Sequence, residues 1–221
     1  MNLCILGPQG SGKGTQARLL CENYGLMHVD VGALLRELSL EDSSRGRELS
    51  VAINSRNMLV SDDLVSYVLE RKFSSVDSSQ GIILDGAPRR VGQIPVIEEV
   101  FSLCGRNLSA VVSLLLSDDI AIERISRRYV CVDKDHQILL SGPLSEIEGL
   151  CMTKGGKVTR REDDEPESVR RRLATFARET VPVLEEYRRR NLLVEVDADA
   201  SVDEVSARLF TLLDKSGFCV T

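Results

Sequence analysis

Short apolar runs alternate along the chain with longer segments whose apolar residues recur at helical spacing. Leu3–Leu6 is wholly apolar and ends in Gly7, the pattern of a strand buried on both faces. Ala17, Leu19, Leu20 and Tyr24 predict a helix over 14–24, and Leu26–Val29 a second strand. Leu34, Leu35 and Leu38 place a helix over 32–41, and a further one is expected over 45–54. Ser61 reads as the N-cap of a helix that buries Leu64, Val65, Val68 and Leu69. Gly81–Asp85 is a buried strand ending in a carboxylate, followed by a helix over 91–103. Ala110–Leu116 is the clearest central strand, and Ser117 caps a helix that runs through Arg128.

The periodicity fades over 129–164, which is rich in Gly, Asp and Lys. A stretch of that length without a helix is too long for an ordinary connection and reads as an insertion with a task of its own. Pro166 then suits the first turn of a long helix over 166–190, which Pro182 should kink. Leu192–Val196 is a last strand, and Ser201-x-x-Glu204 a capping box before a C-terminal helix. Strands alternating with helices predict an α/β fold: a parallel sheet covered on both faces, with its site beyond the carboxyl ends of the strands.

Composition narrows the function. The 221 residues carry 28 basic and 34 acidic side chains, a net charge of −6, which argues against a nucleic-acid binder. Aromatics are 4% and Trp is absent, so stacking platforms for single strands are not expected. There is no basic, apolar leader and no run of roughly 18 apolar residues, so a cytoplasmic chain without membrane contact is expected. The six cysteines follow no C-x-x-C spacing and read as reduced thiols. No nucleophile motif flanks His28 or His136, the two histidines, so a hydrolase triad has no support.

The first strand runs into Gly7-Pro8-Gln9-Gly10-Ser11-Gly12-Lys13-Gly14-Thr15, which contains G-x-x-x-x-G-K. Glycines let backbone N–H groups approach phosphate oxygens, the next helix adds its positive end, and Lys13 supplies a point charge. Gly14 stands where the strict motif has Ser or Thr, and Thr15 follows. No N-K-x-D base-reading motif is present, and Asp85 is followed by Gly86-Ala87-Pro88 rather than a D-x-x-G switch, so a regulatory GTPase is excluded. Arg36, Arg89, Arg124, Arg128, Arg161 and Arg172 are candidates for clamping phosphates, which a planar guanidinium grips through two oxygens.

Taken with these arginines, the chain resembles the adenylate kinase family of nucleoside monophosphate kinases over nearly its whole length. GPQGSGKGTQ is similar to the family's phosphate loop, and His28–Arg36 (HVDVGALLR) to its H-I-S-T-G-D-L-L-R. Leu59–Val65 (LVSDDLV) resembles L-V-P-D-E-L-V, and Asp85–Gln93 (DGAPRRVGQ) resembles D-G-F-P-R-T-x-x-Q. Arg124–Arg128 (RISRR) resembles R-I-x-x-R-R, and Thr159–Leu173 resembles T-R-x-D-D-x-x-E-x-x-x-x-R-L.

The resemblance implies a three-layer P-loop sandwich: a parallel five-stranded sheet flanked by helices, with two inserted mobile lobes. Residues 1–29, 61–127 and 165–221 would form the core, 30–60 the acceptor lobe, and 128–164 the lid. It implies reversible, Mg²⁺-dependent phosphoryl transfer from ATP to AMP, giving two ADP, by a monomer. Gly10, Ser11, Gly12, Lys13, Gly14 and Thr15 would hold the donor, with Arg124 against its base. Arg36 and Arg89 would grip the acceptor phosphate; Val31, Met58, Leu59, Val60, Gly86 and Gln93 would line the acceptor nucleoside. Lys13, Arg89, Arg128, Arg161 and Arg172 would surround the transferring group, Arg161 and Arg172 also touching the acceptor; Asp85 would hold Mg²⁺ through water, and Asp163 and Asp164 would help close the lid.

The departures gather in the acceptor lobe. Asp30, Val31, Ala33, Ala87 and Arg90 replace the family's Ser, Thr, Asp, Phe and Thr. These leave two alternatives open: a kinase for another monophosphate or with GTP as donor, and a nucleotide-binding protein without turnover. Only Cys131 and Cys151 fall in the lid, 20 positions apart, so structural zinc is not expected.

Overall fold

A computed structural model describes residues 1–54, 60–133, 136–153, 155–160 and 164–216 of the chain. In chain order the first half forms β1 (Asn2–Leu6), α1 (Lys13–Tyr24), β2 (Met27–Asp30), α2 (Val31–Ser39), α3 (Ser44–Asn54), α4 (Asp62–Phe73), β3 (Ile82–Asp85) and α5 (Gln93–Leu103). The second half adds β4 (Ala110–Leu115), α6 (Asp118–Ser126), β5 (Arg128–Asp133), β6 (His136–Ser141), α7 (Leu144–Thr153), β7 (Lys157–Thr159), α8 (Pro166–Thr175), α9 (Val181–Arg189), β8 (Leu193–Asp197) and α10 (Val202–Lys215).

The parallel sheet has five strands in the order β2-β3-β1-β4-β8. Its apolar runs are explained by two faces. Leu3 and Ile5 pack with Ala17 and Leu20 of α1 and Val205 and Leu209 of α10, whereas Cys4 and Leu6 pack with residues of α2, α4, α5 and α9. A strand covered on both sides has no polar face to alternate with. β2 and β3 lie on one side of β1, and β4 and β8 on the other, so the crevice outside the carboxyl end of β1 is where a ligand belongs.

The stretch 129–164, read as lacking a helix, contains one. β6-β5-β7 form a small antiparallel sheet, and α7 packs beside it. The helix escapes sequence reading because only Ile147 and Cys151 of α7 are buried, too few for a periodic stripe. The reading of six reduced thiols is also corrected. Cys131 on β5 and Cys151 on α7 form a disulfide with Cα atoms 5.6 Å apart. No local spacing announces it, because the pairing depends on the fold of this small sheet. Gly156 lies against it: a Cβ there would stand 2.7 Å from the Cys131 sulfur.

The predicted long helix over 166–190 is helical throughout, but Phe176–Thr180 adopts a π-turn between α8 and α9. Pro182 therefore falls in the first turn of α9, where its missing N–H is tolerated. The capping box of Ser201 and Glu204 is formed as expected. No helix of the described residues is long and apolar enough to cross a membrane.

Candidate active site

The glycine loop leaves β1 and turns directly into α1. Gly10 and Gly12 hold φ values of +85° and +88°, a region that side chains rarely enter. Gly12 is the N-cap of α1, and no side chain caps its first N–H groups. Those donors and the helix dipole are thus left facing the crevice, a ready site for an anion. The buried Ser11 hydroxyl has no protein partner among the described residues.

Lys13 folds back over this loop. Its Nζ donates to the carbonyl oxygens of Gly7 at 2.8 Å and Pro8 at 2.9 Å. Burial pushes its pKa down to about 8; Asp85 opposes that shift, while Arg89, Arg172 and Arg128 reinforce it. Three arginines from distant segments thus act electrostatically on one ammonium beside the end of β1.

Arg89 lies toward segment 30–60. Its Nε donates to the Gly86 carbonyl at 2.8 Å, and its backbone N–H donates to Gln93 Oε1 at 2.8 Å. Its side chain is exposed, yet the surrounding protein's desolvation lowers its pKa, and Arg172 and Arg36 lower it further against the opposing pull of Asp85 and Asp30. Arg36 also stands 3.8 Å from Asp30, whose carboxylate caps α2 at the Ala33 N–H.

Asp85 ends β3, buried, with His28 Nε2 at 3.4 Å. A Cβ on Gly14 would approach Asp85 Oδ2 to 3.9 Å, so the carboxylate lies directly under the start of α1. At the two ends of segment 128–164, Arg128 is held by Asp164 through two hydrogen bonds, one of them Nε to Oδ2 at 2.9 Å, and Gln9 Nε2 donates to Asp164 at 3.3 Å. Arg124 turns elsewhere, donating to the carbonyls of Ala198 at 2.9 Å and Ala200 at 3.3 Å before α10.

Asp85, Arg89, Arg128 and Arg172 are near enough to Lys13 to act on its charge, as Arg36 and Arg172 are to Arg89, and Gln93 is buried behind Arg89. The Val31 side chain is packed into the main core and offers the crevice no polar group. Val60 is half-buried at the edge of that core. Met58, Leu59, Arg161 and Asp163 lie outside the described residues. A separate cleft of about 630 Å³, with Leu114, Leu173 and Phe176 on its wall, touches Pro8 but contains none of Arg36, Arg89, Arg128 and Arg172.

Sequence reasoning missed three contributors. Thr180 bonds the Arg89 carbonyl, Gln9 reaches Asp164, and Arg90 binds Asp62. A threonine within a helical pattern carries no signal of such a contact; Arg90 had one, as a charge where the resembling motif is neutral.

The sequence model of the family described as adenylate kinase matches residues 5–192. A curated adenylate kinase of Thermosipho melanesiensis is 37% identical over 215 residues, covering 96% of this chain and 99% of its own. One from Fervidobacterium nodosum is 34% identical, covering 96% and 97%, and one from Kosmotoga olearia 33%, covering 97% and 99%.

Proposed function

The chain belongs to the adenylate kinase family, and we propose how its own residues carry the phosphoryl transfer that the name denotes. It is a nucleoside monophosphate kinase. The reaction is reversible: an α-phosphate oxygen of AMP attacks the γ-phosphorus of ATP, the bond to the β,γ-bridging oxygen breaks, and two ADP result. No covalent protein intermediate is needed.

In this reading residues 1–29, 61–127 and 165–221 are the core, 30–60 the acceptor lobe and 128–164 the lid. Gly10–Thr15 bind the donor triphosphate, and Lys13 leaves its loop carbonyls for the transferring phosphoryl group. Arg36 and Arg89 hold the acceptor phosphate, Gln93 its base, and Arg124 borders the donor base. Arg128, Arg161 and Arg172 neutralise charge that builds up in transfer, the main work open to a protein in this chemistry. The observation that supports this most is the glycine loop, with Gly10 and Gly12 at positive φ, running into the uncapped start of α1 with Lys13 folded over it.

A magnesium ion fits this chain. Asp85 is a buried carboxylate beside the phosphate loop, and hard oxygen ligands suit that ion. Asp85, with water, would hold it; bound with the donor, Mg²⁺ supplies charge neutralisation on the polyphosphate. Among the described residues no cluster of three or more His, Cys, Asp or Glu side chains is placed to hold a metal ion. A cytoplasmic monomer completes the reading, on the family resemblance.

The test is a coupled ADP-formation assay with ATP against AMP, GMP, CMP and UMP. Turnover chiefly with AMP is expected. Preference for CMP or UMP overturns the acceptor, and tight ATP binding without turnover overturns the catalytic reading.

A further inference from the structure

Arg90 lies one position beyond Arg89, in the loop from β3 to α5. Its side chain turns away from the crevice and crosses to the other end of the acceptor lobe. Nε donates to Asp62 Oδ1 at 3.2 Å, and Nη2 donates to the same oxygen at 2.7 Å and to the Val60 carbonyl at 3.4 Å. Asp62 opens α4, and Val60 is where the chain leaves segment 30–60. One guanidinium therefore joins the exit of that segment to the loop that carries Arg89 and Gln93.

The loop itself is already fixed to the core. Gln93 accepts from the Arg89 N–H, and Thr180 donates to the Arg89 carbonyl. Apolar packing aside, Arg90 supplies the side-chain hydrogen bonds that join the segment's exit to that loop among the described residues. The contact is more than an isolated surface pair, which is worth little. Two donors of a rigid fork converge on one carboxylate oxygen, a backbone carbonyl is bonded beside it, and both side chains are about two-thirds shielded at 32% and 33% exposure. Nor is Arg90 needed to neutralise Asp62, since a carboxylate in the first turn of a helix is already favoured by the helix dipole.

We propose that Arg90 is a positioning residue for the acceptor nucleotide. By pinning Val60 and Asp62 to the Arg89–Gln93 loop, it holds the two walls of the acceptor site in register before the nucleotide arrives. Order that is built in need not be created by the ligand, so its loss weakens acceptor binding and leaves the donor side alone. The proposal rests on the functional reading above.

The test varies AMP and ATP separately in steady-state assays of the unmodified chain, R90T, R90K, D62N and R90T/D62N. R90T is expected to raise the AMP KM about tenfold, the loss of a charge-assisted contact, with kcat and the ATP KM within about twofold. D62N should match it, and the double variant should add nothing further. R90K keeps the charge but loses the fork, so it should fall between R90T and the unmodified chain; it also keeps the test open if R90T does not fold. An AMP KM within about twofold of the unmodified value in both Arg90 variants overturns the role, as does an ATP KM that rises in parallel. An unmodified protein that makes no ADP from ATP and AMP overturns the functional reading itself, and the role with it.

Discussion

The Thr180 hydroxyl donates to the Arg89 carbonyl oxygen over 3.0 Å, joining residues 91 positions apart in the chain. The donor sits in the π-turn between α8 and α9, so a local widening of a helix aims a side chain at the loop that carries Arg89. Thr180→Val keeps the shape and removes the donor. It should cost about 1–2 kcal/mol in urea unfolding, because a shielded carbonyl loses its partner. The AMP KM should rise several-fold with the ATP KM unchanged, and Thr180→Ser should restore both readings. A valine variant indistinguishable from the parent would remove Thr180 from the site.

The sheet and the phosphate loop were legible because each is written locally. Leu3–Leu6 is apolar on both faces and is followed at once by the glycines that fix the turn. The small antiparallel sheet was not legible, since short strands and a helix burying two side chains leave no clean period. The arginines around Lys13 were legible only through motif blocks; periodicity says nothing about where a guanidinium points. Arg106 illustrates the limit. It is buried at 4% exposure, donating to the carbonyls of Val76, Asp77 and Gln80, and nothing in its sequence surroundings separates it from a surface arginine.

Lys13 gives the site a pH dependence with a definite sign. Its pKa of about 8 in the free protein lies below the ordinary 10.5, chiefly through burial. As pH rises through about 8 the ammonium is lost and ATP binding should weaken; a bound triphosphate favours the charged form, so binding above pH 8 should take up a proton. Calorimetry in buffers of different ionisation heat measures that uptake, which should vanish in Lys13→Met. For folding the sign is opposite. Between pH 8 and 10.5 the unfolded chain holds more protons at this group, so its contribution to stability rises with pH across that window.

The Cys131–Cys151 bond closes a loop between positions 20 apart. Alkylation of the denatured protein without reductant should leave these two sulfurs unmodified while Cys4, Cys21 and Cys104 react. On the chain-entropy account a loop of this size is worth about 3 kcal/mol. C131S/C151S should therefore lower the melting temperature, and reductant should lower that of the parent but not of the double variant. Labelling of all five positions at equal rates would show that the bond is not formed.

Gly10 and Gly12 separate two costs of replacing a glycine in the phosphate loop. Both have positive φ, so alanine at either pays about 1–2 kcal/mol for a left-handed backbone. Around Gly12 a Cβ would meet nothing within 4 Å, whereas at Gly10 it would come within 2.9 Å of the Ala121 carbonyl oxygen and 3.2 Å of the Ile125 side chain. Those atoms belong to α6, whose Ala121 and Ile125 form a small core of their own with Val169 and Leu173 of α8. They cannot retreat without opening that core, so the loop must move instead. Gly10→Ala should accordingly destabilise the nucleotide-free protein more than Gly12→Ala in urea unfolding. Because the displaced N–H groups are those proposed above to bind the donor triphosphate, its ATP KM should rise about tenfold or more while the AMP KM changes little. Equal destabilisation by the two variants would mean that α6 does not press on the loop in solution.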